Sequence, residues 1–266
     1  MENLISSEEF DASIKTDKNF VKKKSNFRKP KPVDALVDAV VETENLEQIP
    51  TPKKPRANNL KVMFLGGIGE IGKNMTVLEY GKDIVVIDCG VMFPSLDMLG
   101  IDLVVPDITY LVENKEKVRG FVITHGHEDH IGSVPYVVNE VNAPIYASKM
   151  TCGLIKKKME EHKKVEYKTV AVKPKQKITL GCFEIEFIHV NHAIPGAFGL
   201  AIKTPVGMVV HTGDYKIDLT PVYDEKFDLH TFARLGEQGV LLYMADSTNA
   251  EREGHSLSER VVGKTL

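Results

Sequence analysis

Apolar and polar residues are distributed along this chain in two regimes. Up to about Asn58 they show no sustained period. From Leu60 onward, short apolar runs alternate with glycine-marked turns, which is the signature of strands. KVMFLGG reads as a strand entering a glycine turn. TVLEY, GKD and IVVIDCG read as strand, turn and strand, a β-hairpin. A helix or loop region follows through Pro106 and IDLVVPDITYLVENKEKV. Next come the strand GFVITH, a helix in SVPYVVNEV, the strand APIYAS, and a Lys/Glu-rich helix from Met150 to about His162. The remainder reads as β-rich: YKTVAV, KITLG, CFEIEFIHV, GLAIKTPVGMVVHTGDY and VLLYMADST. No internal repeat is visible.

The first 58 residues carry a cationic stretch, KTDKNFVKKKSNFRKPK, and a Pro/Lys cluster, PTPKKPRANN. Such composition buries too little apolar surface to offset its ordering entropy. Residues 1–58 are therefore expected to be a disordered polar and basic extension, with a short helix in VDALVDAVVETENL. Interleaved Lys and Phe could grip RNA phosphates, but a solvated tail is the preferred reading. Residues 59–266 are expected to be the folded domain.

Composition narrows the class. With 34 Lys+Arg against 37 Asp+Glu and a formal charge of -3, no global positive field announces a nucleic-acid partner, so RNA binding would need a local patch. The three cysteines, Cys89, Cys152 and Cys182, form no C-x-x-C pair. That disfavours a disulfide framework or a cysteine-rich zinc knuckle and suits a reducing, cytoplasmic setting. No apolar run reaches the roughly 18 residues that span a bilayer, and MENLISSEEFDASIK lacks a signal-peptide core.

Gly67, Gly69 and Gly72 satisfy G-x-G-x-x-G after a strand, with Asp88 about 20 residues on, which mimics a dinucleotide fingerprint. That fold needs a helix between its two strands, and Lys73 to Ile87 holds only strand, turn and strand. The glycines are better read as a tight turn where backbone meets backbone.

The decisive stretch is ITHGHEDHIG, between an apolar strand and a helix. It crowds His125, His127, Asp129 and His130 into one short loop. Imidazole nitrogen with carboxylate oxygen suits zinc, and the histidines would repel one another if all were protonated. A solvated polar loop is the alternative reading. Two later strand ends can complete a site: His192 in IHVNHAIPG and Asp214 in VVHTGDYK, where a carboxylate can bridge two cations about 3.5 to 4 Å apart.

Asp88 in IDCG, HGHEDH, His192 and Asp214, in that order, resemble the metallo-β-lactamase superfamily. GGIGEIGKN, GVMFPSLDMLGIDLVVPDITYL, TGDYKID and DSTNAEREGHSLSER are similar to the bacterial ribonuclease J family of its β-CASP branch, from about Leu60 to Leu266. The resemblance implies an α/β fold, the αββα sandwich, incomplete because the sequence ends near where the family inserts its β-CASP domain. It also implies that His125, His127 and His192 hold one zinc, that Asp129 and His130 hold another, and that Asp214 bridges both. Asp88 would orient the histidine loop. Manganese, magnesium or calcium are the alternative ions. The implied activity is hydrolysis of RNA, from the 5′ end and internally, by a water that two cations activate, with RNA as partner and a homodimer or RNA-decay complex as assembly. Two departures stand out: HAIPG at His192 to Gly196 replaces the family's His-Ser-Ile-Pro-Asp, and a late histidine ligand of the second zinc would lie beyond Leu266.

Among the other histidines, His189 and His211 are expected to pack near the site, and His162, His230 and His255 to lie at the surface. Asp246 and Ser247 resemble a strand-end motif that faces substrate, with a plain turn as the alternative. Two other functions fit the same loop: a thioester or lactone hydrolase of the same fold, and a non-catalytic copy within an RNA-decay complex.

Overall fold

The computed structural model describes residues 59–162, 165–222 and 225–265. The extension expected over 1–58, with its short helix in VDALVDAVVETENL, lies outside the described residues.

Eleven strands among the described residues form two sheets. The first contains β1 (Lys61–Gly66), β2 (Met75–Tyr80), β3 (Asp83–Ile87), β4 (Val118–Val122), β5 (Ile145–Ser148) and β6 (Thr169–Val172), neighbours in that order. Its first three strands run antiparallel, as the hairpin pattern predicts, with Thr76 opposite Ile87 and Tyr80 opposite Asp83. From β3 to β6 the pairing is parallel, so the connections must cross over. They carry α1 (Thr109–Glu113), α2 (Glu128–Ile131), α3 (Val134–Glu140) and α4 (Lys149–Glu160) on one face. The second sheet orders β11 (Leu242–Met244), β10 (Gly207–His211), β9 (Phe198–Thr204), β8 (Phe183–His189) and β7 (Lys177–Leu180). Only β10 and β11 run parallel there, and the crossover between them is α5 (Leu229–Gln238). A last helix, α6, spans Glu259–Thr265.

Alternation along the strands divides the core into layers. Leu78, Val85, Ile87 and Val122 of the first sheet meet Phe183, Ile185, Phe187, Leu200 and Ile202 of the second in one buried cluster. Their sequence neighbours Val77, Ile84, Val86, Phe121 and Ile123 point the other way, against Leu111 of α1, Val134 and Val138 of α3 and Ile155 of α4. Ile188, Ala201 and Val210 on the far face of the second sheet pack on Leu235 of α5. The layer order is helix, sheet, sheet, helix, the expected αββα sandwich. Each buried Val, Leu or Ile side chain contributes on the order of 1.5 to 3 kcal/mol.

One local outcome matches the pattern-based reading and one departs from it. Residues 88–108 are mainly loop, pinned by a bridge between Met92 and Val104, and Thr109–Glu113 and a 3-10 turn at Lys115–Lys117 follow, in keeping with the helix or loop region expected there. The segment LHTFARLGEQ, to which the pattern assigned no element, is helix α5. Asp228 caps it by accepting from the Thr231 N–H at 3.1 Å, and Phe232 and Leu235, three apart, supply the apolar stripe.

The glycine turn holds no helix. Gly67, Gly69 and Gly72 have φ of 85°, 70° and 93°, and Gly66 lies so close to Lys73 that a Cβ would sit 2.1 Å from its carbonyl oxygen. Backbone meets backbone there, which only glycine tolerates.

Candidate metal centre

Ends of strands from both sheets converge at one edge of the sandwich. β4 runs out into Thr124 and His125, and the chain turns at Gly126 into α2, whose first turn carries Asp129 and His130. Opposite it, β8 leads to His192 and β10 to Asp214. β3 ends in Asp88, held at φ 61°.

The nitrogens aim at one point. His127 Nδ1 lies 3.0 Å from His125 Nε2 and 3.1 Å from His192 Nε2. Three ring nitrogens converging in this way cannot all be satisfied by hydrogen bonds, because a single proton serves only one pair. A shared cation resolves the conflict. His125, His127 and His192 form one group able to hold a metal, and His125, His130 and Asp214 form a second. Asp214 reaches both: its Oδ1 is 3.4 Å from His130 Nε2, and its Oδ2 is 3.8 Å from His192 Nε2 and 3.9 Å from His125 Nε2. Asp129 stands at the margin, with Oδ2 3.6 Å from His130 Nε2 and outside both groups.

Behind the donors lies a scaffold of hydrogen bonds. Buried Asp88 accepts from the Thr124 N–H at 2.7 Å, from the Thr124 hydroxyl at 2.8 Å and from His130 Nδ1 at 2.8 Å. Holding the proton on Nδ1 leaves Nε2 to face the cluster, the usual carboxylate–histidine–metal arrangement. Asn74 donates from Nδ2 to the Asp129 carbonyl at 3.1 Å and lies 3.2 Å from His130 Nε2, while its backbone N–H donates to the same carbonyl. The Asp88–Val91 strand end lies directly on α2, where a Cβ on Gly90 would fall 1.5 Å from the Asp129 carbonyl oxygen.

Electrostatics of the bare side chains show why a cation belongs there. Burial, aided by the neighbouring His130, pushes the His125 imidazole down to about 2. Burial also opposes charge on His130, but Asp88 and Asp214 outweigh it and hold its pKa up at about 10. Burial works to raise Asp214, yet its bond to His130 and the surrounding imidazoles hold it below the usual carboxylate range. Burial lowers His192. The cluster thus sets His125 and His192, both disfavoured as cations, beside a His130 imidazolium held between Asp88 and Asp214, and a divalent ion is the natural replacement for that proton.

Every proposed donor, His125, His127, Asp129, His130, His192 and Asp214, is brought to this edge, with Asp88 beneath. Asn74 and Thr124 were not singled out from the sequence. Thr124 adjoins the histidine loop in ITHGH, which was the available signal. Asn74 lies at the far side of a glycine turn and carried none. Asp246 and Ser247 follow β11 and line the same cavity as Asp129, His130, His211 and Asp214. His211 accepts from the Gly213 N–H at 3.0 Å. His189 contacts Glu225, with Nδ1 3.5 Å from its carboxylate, and His230 and His255 are exposed. His162 is half-buried against Tyr136.

Fold and site together define a metal-binding αββα sandwich with its donors on strand ends. The chain belongs to the metallo-beta-lactamase superfamily, whose family model matches residues 68–250. It is 46% identical over 221 residues to ribonuclease J of Corynebacterium glutamicum, a match covering 83% of this chain and 31% of that protein. Ribonuclease J 1 of Streptococcus pyogenes is 44% identical over 212 residues, 79% of this chain and 38% of the relative. Ribonuclease J2 of Bacillus subtilis is 40% identical over 213 residues, with the same coverages. The chain therefore spans about a third of the length of the curated relatives it matches. A solved protein of unknown function from Enterococcus faecalis shares the fold, with a TM-score of 0.56 at 18% identity over 76% of this chain and 53% of that one. No helix among the described residues is long and apolar enough to cross a membrane.

Proposed function

We propose that this chain forms the metal-binding catalytic part of a zinc-dependent ribonuclease that hydrolyses RNA phosphodiester bonds, both from a 5′ end and internally, in RNA maturation and decay. The observation that carries the proposal is the convergence of three histidine nitrogens and a shared carboxylate at one point, in a chain 40–46% identical to ribonucleases J. His125, His127 and His192 would hold one ion. His130 and Asp214, with Asp129 beside them, would hold the second, and Asp214 would be shared. The nitrogen-rich donor set favours zinc over magnesium or calcium. Bound ions would supply Lewis acidity, acidifying a water to serve as nucleophile and offsetting phosphate charge.

The chain's own residues do the positioning. Asp88 fixes the ring of His130 and, through the Thr124 backbone and hydroxyl, the start of the histidine loop. Asn74 ties the glycine turn to Asp129. The reading extends to a cytoplasmic enzyme with a β-CASP domain, acting as a homodimer or within an RNA-decay complex.

The test pairs elemental analysis with an RNA assay. Purified protein should carry stoichiometric zinc, and the protein extended to the relatives' length should shorten 5′-monophosphorylated RNA, with loss of cleavage in His127→Ala. Zinc-loaded protein that leaves RNA intact but opens thioesters or lactones would overturn the ribonuclease reading.

A further inference from the structure

The cavity beside the metal centre has a volume of about 510 Å³, within the range of small-molecule sites. Its lining is mixed in a particular way. Asp129, His130 and Asp214 contribute the metal-binding groups, and Ser247, Thr248 and Asn249 contribute hydroxyls and an amide. Strand β1 and the glycine turn contribute something the metal chemistry does not require: Phe64 from β1 and Ile68 and Ile71 from the turn also line this cavity, and they are 43%, 64% and 79% exposed. Large apolar side chains on a polar rim are costly to keep in water and mark contact with an apolar face. The turn is built to hold them there. Its base is fastened by the Lys73 N–H on the Val91 carbonyl and by Asn74 on Asp129, and Gly67, Gly69 and Gly72 take positive φ on either side of the two isoleucines that line the cavity.

We infer that Phe64, Ile68 and Ile71 form a nucleobase platform, receiving the base of the nucleotide whose phosphate lies at the metal centre. The inference rests on the ribonuclease reading for its substrate class and deepens it. One nucleotide supplies all three complements: an anionic phosphate for the ions, hydroxyls and base edges for the polar lining, and a flat apolar face for the isoleucines and the phenylalanine. Aliphatic and aromatic faces touch any base without reading its edge, so this contact confers affinity with little sequence preference.

The test combines a double variant with an altered substrate. Ile68→Ser/Ile71→Ser removes the apolar face at exposed positions, so folding and zinc content are expected to stay unchanged. RNA with one abasic ribose at the scissile nucleotide removes the matching face from the substrate. In the protein at the relatives' length, either change alone should raise KM about tenfold, kcat should move less than about twofold, and the two changes together should cost no more than one. Unchanged KM in the double variant, or an abasic penalty that persists undiminished in it, overturns the platform while leaving the ribonuclease reading intact. Adenosine monophosphate binding to the zinc-loaded protein separates the two claims. If RNA is not cut but the mononucleotide binds and is weakened about tenfold by the double substitution, the platform stands and the ribonuclease reading falls. If the mononucleotide binds equally to both proteins, the platform falls.

Discussion

Asp88→Asn is the most incisive perturbation of the metal centre, because it changes one atom and leaves the shape. The left-handed φ of 61° at this position is one that asparagine accepts readily, so the backbone does not confuse the result. Suppose first that the amide keeps its oxygen on the Thr124 N–H, where the carboxylate now accepts at 2.7 Å. Its NH2 then faces His130 Nδ1, 2.8 Å from the present oxygen. Two donors cannot meet, so the imidazole must shift its proton to Nε2, the atom that faces the ion. Loss of such an outer partner costs about 10- to 100-fold in metal affinity, or roughly 1.4 to 2.7 kcal/mol. Suppose instead that the amide flips. The NH2 then opposes the Thr124 N–H in a buried site, which costs about 1 to 3 kcal/mol of folding stability. One of the two losses must appear. Competition with a chromogenic chelator measures the first, and thermal unfolding with and without zinc measures the second. A variant that binds zinc within about twofold of the parent and melts at the same temperature would refute this account of Asp88.

The same network sets a pH dependence. His130 is raised from its ordinary 6.5 to about 10, so without metal its contribution to stability is fully present below about 6.5 and is lost as pH climbs toward 10. An entering ion must displace that proton, so zinc affinity should rise with pH across this window, by up to about tenfold per unit; affinity that is flat from pH 7 to 9 contradicts the proton displacement. Gly90→Ala should cost about 3 kcal/mol or more, because the new Cβ would fall 1.5 Å from the Asp129 carbonyl oxygen; denaturant unfolding measures it, and a loss under about 1 kcal/mol would show that α2 can retreat. Lys158→Ala breaks the 2.7 Å ion pair with Glu128 inside the histidine loop. That pair is partly exposed, so stability should fall by less than about 1 kcal/mol with zinc affinity retained; a tenfold loss of zinc would make the pair a support of the loop.

The parts of the site legible in the sequence were those whose chemistry is local. H-x-H-x-D-H after an apolar strand states its purpose within six residues, and His192 and Asp214 are flagged by sitting where strands give way to turns. The apolar runs on either side of the GKD turn likewise gave the hairpin of β2 and β3. What the sequence did not disclose depends on partners far along the chain. Asn74 matters because the glycine turn brings it against Asp129 and His130, and nothing in GGIGEIGKN says so. Helix α5 was missed because its stripe is short and its cap, Asp228, is an unremarkable acid until it faces Thr231. The resemblance of longer strings to ribonucleases J supplied what spacing alone could not, the expected division of the histidines between two ions.

The donors arrive from both sheets: His125, His127, Asp129 and His130 from the edge of one, His192 and Asp214 from the edge of the other. An ion seated among them is therefore a rivet through the seam of the sandwich, closing a long stretch of chain much as a cross-link would. An ion on His125, His127 and His192 would need β8 seated against β4, and one that also reached Asp214 would need β10 in place as well, so the grip on metal would report how completely the two sheets have come together.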